Sequence, residues 1–221
     1  MSLNPQCMAI NNVVSCCYVA LTILWLKSTS SLYQIGDFRE TYLQSFLITA
    51  EVLKYLAFGF YAPSAPKKPD SKDSKRPGWF KSTFTILSEV LTFYIVAVLF
   101  GAPFLSKQHE NLTFAITMTV LVVLPCCLYM GTDKSVVVLL SLISPAGNDQ
   151  LKPFFRISQF TCLGAWLGAI VVPLDWNKPY QVWPIPAILG ALAGYFFGHL
   201  FLLSTYLLQK KFTKRTLKSQ C

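Results

Sequence analysis

The stretch "GAWLGAIVVPLDWNKPYQVWPIPAILGALAGYFFGHL" runs from Gly164 to Leu200 and decides the fold. Two glycine-studded apolar runs flank a short hinge that holds Asp175, Trp176, Trp183 and the prolines Pro173, Pro179, Pro184 and Pro186. Proline is excluded from continuous helix interiors, so these residues end one helix and shape the entry to the next. Trp176, Tyr180 and Trp183 suit a lipid–water boundary. The pattern reads as a helical hairpin, 164–200, turning at a membrane surface.

The rest of the chain agrees. Of 221 residues 53% are hydrophobic and only 13% charged, with a mean hydropathy of +0.47. A soluble domain carries about 25% charged residues. A helix crossing the hydrocarbon needs roughly 20 apolar residues. Six such spans are expected, at about 7–26, 41–62, 83–105, 111–131, 154–174 and 186–208. Runs such as "TMTVLVVLPCCLYM" do not alternate, which argues against a β-barrel. No basic residue precedes the first span and no small-residue cleavage site follows it, so a signal peptide is not expected. The fold class is all-α: a polytopic membrane protein forming one membrane-embedded domain over 1–221.

The formal net charge of +9 resides in loops, where it is topological information rather than a nucleic-acid surface. Fourteen of the 19 Lys and Arg fall on one side under six spans: six in 63–82, then Lys134, Lys152 and Arg156, then five in the tail. Lys27, Arg39, Lys107 and Lys178 fall on the other, and Lys54 lies within a span. Both termini are therefore expected to be cytosolic. Residues 63–82 read as a basic cytosolic linker, either solvated or touching anionic headgroups. The run 135–144 is too short to cross and reads as an interfacial helix.

Chemistry-bearing motifs are scarce. His109 and His199 lie far apart, and no metal-ligating cluster or phosphate loop is present. No metal and no cofactor is expected. The seven cysteines form no zinc or disulfide pattern; the five within spans read as small apolar packing residues, and Cys7 and Cys221 fall near the cytosolic face. Four ionisable residues fall within spans: Glu51, Lys54, Glu89 and His199. Facing lipid they would cost several kcal/mol, so they face the bundle interior. Glu51 and Lys54, three apart, share a helix face and can pair. The alternative is a proton or substrate path using Glu51, Glu89 and His199, as in a lipid-handling membrane enzyme or transporter. The sequon Asn111-Leu112-Thr113 opens the fourth span, against the membrane, and is expected to stay unmodified.

Glycine carries the clearest packing signal. Gly164 and Gly168 form one Gly-x-x-x-Gly; Gly190, Gly194 and Gly198 form two more in tandem, flanked by Ala187 and Ala191. Small residues at this spacing let helix backbones approach. The two ridges either pack on each other or receive a helix from another protein.

At the hinge these residues closely resemble the C-terminal signature of the phosphatidylinositol-glycan biosynthesis class F (PIG-F) family. Phe100-Gly101-Ala102-Pro103 and Val123-Leu124-Pro125-Cys126 are similar to that family too. The signature positions are Gly164, Trp166, Gly168, Pro173, Asp175, Trp176, Pro179, Trp183, Pro184, Gly190 and Gly194. The resemblance implies a non-catalytic subunit of glycosylphosphatidylinositol (GPI) anchor assembly in the endoplasmic reticulum membrane. It implies binding and stabilising the large PIG-O and PIG-G type ethanolamine-phosphate transferases, which draw on phosphatidylethanolamine, and it supplies no catalytic residue. Asp175, with Trp176 and Trp183, either bonds the turn's own backbone or meets the ammonium of that lipid.

Overall fold

The computed structural model describes residues 5–29, 35, 42–59, 78–104, 106–140, 151–173 and 181–219. Among these the chain forms seven α-helices and no strand: α1 (Pro5–Ser28), α2 (Leu43–Gly59), α3 (Gly78–Leu99), α4 (Gln108–Met130), α5 (Thr132–Leu140), α6 (Lys152–Ala169) and α7 (Ile185–Ser219). Four are long and apolar enough to cross a membrane, over Gln6–Ser28, Phe80–Leu99, Gln108–Met130 and Ile185–Lys211. The other two expected spans coincide with shorter helices. α2 has 17 residues with Glu51 and Lys54 near its middle. α6 has 18 and opens with Lys152 and Arg156.

Helix ends differ from the sequence expectation where side chains or backbone supply an unforeseen start or stop. α3 begins at Gly78, so residues 78–82 belong to a helix rather than to the linker. Lys81, in its first turns, pairs with Asp133 of α5 at 2.7 Å. Residues 63–77 lie outside the described residues. α6 stops at Ala169, and the turn through Pro173 is closed by the amides of Val171 and Val172 on the carbonyls of Gly168 and Ala169. α7 continues to Ser219 because nothing after Gly198 breaks it, and Leu, Gln, Lys and Arg are good helix formers. The basic tail is thus an extension of the last helix. The short helix expected at 135–144 is α5, entered from α4 through Gly131 at φ +88°; residues 141–144 lie outside the described residues.

The bundle is built around α4 and α7. α4 is buried along most of its length, from Asn111 to Cys126, and continues through Pro125. It touches α2, α3, α5, α6 and α7. α7 packs on α6 along one side and on α1 along another, the α6–α7 pair being the most extensive. Ala187, Ile188, Ala191, Leu192 and Tyr195 of α7 are fully buried. α3 is peripheral, resting mainly on α4, and turns an outward stripe of Phe84, Leu87, Leu91 and Leu99 away from the bundle.

Candidate functional site

Among the described residues three features concentrate the polar and small side chains. The first is a buried ionic cluster where α1, α2 and α7 meet. Lys54 Nζ lies 2.7 Å from Glu51 Oε2 and donates to Glu51 Oε1 at 2.8 Å. The same Oε1 accepts the hydroxyl of Tyr195 at 2.6 Å and the hydroxyl of Tyr18. Lys54 also donates to Ser15 Oγ at 2.9 Å and stands 5.5 Å from the centroid of the Tyr18 ring. The charges are therefore paired and surrounded by donors and aromatic faces, the condition under which ions persist in a low-dielectric interior. One turn further along α7, His199 Nδ1 meets Asn12 Oδ1 at 2.8 Å, and its ring packs edge-on against Tyr195 at 4.5 Å.

Of the ionisable residues singled out in the sequence, the fold brings Glu51, Lys54 and His199 together. It leaves Glu89 apart, on α3 facing α4, with Oε2 buried and unbonded among the described residues. The sequence reading missed Asn12, Ser15, Tyr18 and Tyr195. A signal was present: Asn12, Ser15, Tyr18 and Thr22 recur every three or four residues, a polar stripe on one face of α1.

The second feature is the seam between α6 and α7, where the two glycine ridges meet each other. A β-carbon on Gly164 would strike the carbonyl oxygen of Gly190 and the Cα of Gly194; one on Gly168 would strike the carbonyl of Pro186. Reciprocally, Gly190 faces the Gly164 carbonyl and Gly194 faces that of Phe160. Backbone lies on backbone, with no room for a methyl group. Gly198 is looser: a β-carbon there would lie 3.2 Å from Ile157 Cα and 3.3 Å from Phe160 Cβ. The ridge is occupied from within the chain.

The third feature closes the hinge end of the bundle. Trp183 Nε1 donates to Asn111 Oδ1 at 2.6 Å, and Asn111 Nδ2 donates to the Pro103 carbonyl at 2.8 Å. Trp183 also packs on Phe114, ring centroids 5.1 Å apart. Gly101, at φ +100°, makes the Phe100–Pro103 turn that presents this carbonyl; only glycine adopts that conformation without strain. Asn111 is fully buried with both amide atoms bonded. Read in sequence as a sequon, it is a cross-brace between the turn and the hinge.

The remaining signature residues divide between buried and exposed positions. Trp166 is half-exposed on the outer side of α6. Pro184 directly precedes α7, and its carbonyl accepts the Ile188 amide. Pro173 lies in the turn after α6. Asp175, Trp176 and Pro179 lie outside the described residues. No group of three or more His, Cys, Asp or Glu that would hold a metal occurs among the described residues.

A model of the GPI biosynthesis protein family Pig-F matches residues 11–203. The chain is 34% identical over 140 residues to the human "GPI ethanolamine phosphate transferase, stabilizing subunit", covering 62% of each chain. It is 33% identical over 154 residues to the mouse protein of the same name, covering 68% of this chain and 67% of that one. With "Glycosylphosphatidylinositol anchor biosynthesis protein 11" of Yarrowia lipolytica it shares 36% identity over 136 residues, 59% of each chain. The matches to the human and Yarrowia proteins thus span about three fifths of those proteins' own length. No solved structure matches.

Proposed function

This chain belongs to the GPI biosynthesis protein family Pig-F, and on that premise we propose that it is a non-catalytic, stabilising subunit of ethanolamine-phosphate transferases in GPI-anchor assembly. The observation that carries the reading is the family match over 11–203, most of the chain, with human and mouse relatives named as stabilizing subunits. The bundle's interior agrees with it. Glu51 and Lys54, the charges best placed for a path through the membrane, are held by each other and by two tyrosines. A carboxylate so engaged is a fastener rather than a reagent.

The finer reading follows. The chain spans the endoplasmic reticulum membrane six times, α2 and α6 included, with both termini cytosolic and residues 175–185 lumenal. The fourteen-to-four distribution of basic residues supports this orientation. The partners are the large PIG-O and PIG-G type transferases, which use phosphatidylethanolamine. Because the glycine ridges are spent on each other, the transferase meets the aromatic hinge of Asp175, Trp176 and Pro179 and the outer surfaces of the bundle.

Expression of a tagged chain in cells lacking their own subunit tests the proposal. Co-purification of a much larger transferase, with return of GPI-anchored protein to the surface, is the expected result. Restored anchoring with no associated transferase would overturn it. For topology, protease treatment of sealed microsomes should remove tags from both termini; a protected C-terminal tag refutes the six-span arrangement.

A further inference from the structure

At the hinge end, α3 and α6 diverge over α4 and leave a cavity of about 470 Å3 between them. Small side chains make the space: Ala97 on α3, with Ala165 and Ala169 on α6, stand where larger residues would fill it. Phe93, Phe100, Met118 and Trp166 supply the walls, and Trp183 stands over it. The lining offers a ligand almost no polar atom, since the Trp183 indole N–H is already given to Asn111. Phe100, Trp166 and Ile170 are substantially exposed, so the cavity opens sideways, between helices.

Size and chemistry select the occupant. A helix with its side chains is about 10 Å across and needs about 1,200 Å3 over a 15 Å half-bilayer, well above the space available. An extended hydrocarbon chain is about 4–5 Å across at ordinary carbon contact distances and needs about 200–300 Å3 over that length. We propose that the crevice between α3 and α6 is a binding site for one acyl chain of a bilayer phospholipid, with the headgroup beside the Trp183 hinge. This rests on the reading of the helices as membrane spans. It gives Trp166 and Trp183, two signature residues, a shared role as walls of a lipid site.

The test uses the full chain in detergent micelles doped with a phosphatidylcholine that carries a photoreactive diazirine in its acyl chain, followed by peptide mapping. Residues Leu21 and Leu24, exposed on the open face of α1 and outside the lining of the crevice, serve as the internal reference. Labelling at Phe93, Phe100, Met118 or Trp166 is expected to exceed the reference about tenfold. Ala97→Phe and, from the opposite wall, Ala169→Phe should each reduce that excess at least fivefold while the reference stays constant. Even labelling of crevice and open face, or an excess unchanged by both filling variants, overturns the lipid site. Absence of labelling at either place instead overturns the membrane-span reading beneath it.

Discussion

α7 is gripped on two sides by opposite means. Toward α6 it presents glycine, and the contact is backbone against backbone with no intervening side chain. Toward α1 and α2 it presents Tyr195 and His199, and the contact is a charge pair with its ring of donors. In a bilayer neither can rely on hydrophobic association, because lipid tails are as apolar as the helices. The seam gains its stability from dispersion at close range, so it fails when an atom is added. The cluster gains it from paired charge, so it fails when an atom is removed.

That contrast can be broken most severely at the cluster. Glu51→Ala strands the Lys54 ammonium in the interior, at a cost of about 3–5 kcal/mol. The variant subunit should disappear from membranes, or unfold in detergent far below the parent's temperature. The double variant Glu51→Leu/Lys54→Met should recover most of the loss; no recovery would mean that the pair does more than satisfy itself. Next comes the seam, where Gly194→Ala forces α6 and α7 apart and costs about 2–3 kcal/mol, read as a lowered Tm in detergent. An unchanged Tm would deny the backbone contact.

Smaller effects sharpen the distinction. Tyr18→Phe removes one donor to a charged acceptor that keeps its other partners, and is expected to cost about 1.5 kcal/mol. Gly198→Ala, on the same ridge as Gly194 but with its new methyl 3.2 Å from the nearest atom rather than 2.1 Å, should cost less than about 1 kcal/mol. If Gly198→Ala and Gly194→Ala prove equal by thermal unfolding, close packing is not graded along the seam as described.

Much of this was legible in advance because membrane helices encode their packing in residue size and charge. The Gly-x-x-x-Gly spacing announces a small-residue ridge, and the three-residue offset of Glu51 and Lys54 announces a pair. The sequence could not say that each ridge receives the other, since an identical pattern serves a helix from another protein. Tyr18 and Tyr195 were hidden for a different reason. Tyrosine is counted among apolar residues in any span, and its hydroxyl matters only once a carboxylate is found opposite. The bracing role of Asn111 was hidden because its local motif, a sequon, says nothing of its partners Pro103 and Trp183, which lie 8 and 72 residues away. The start of α3 at Gly78 was obscured by the proline and lysine content of what precedes it.

The length of α7 has a mechanical consequence. Thirty-five helical residues make a rod about 52 Å long, against a hydrocarbon core of about 30 Å. Its first turns are clamped by the seam and the hinge, while its last carry the basic residues Lys210, Lys211, Lys214, Arg215 and Lys218. The helix is therefore long enough to hold a charged tip clear of the hydrocarbon, on the side of the bundle away from the hinge.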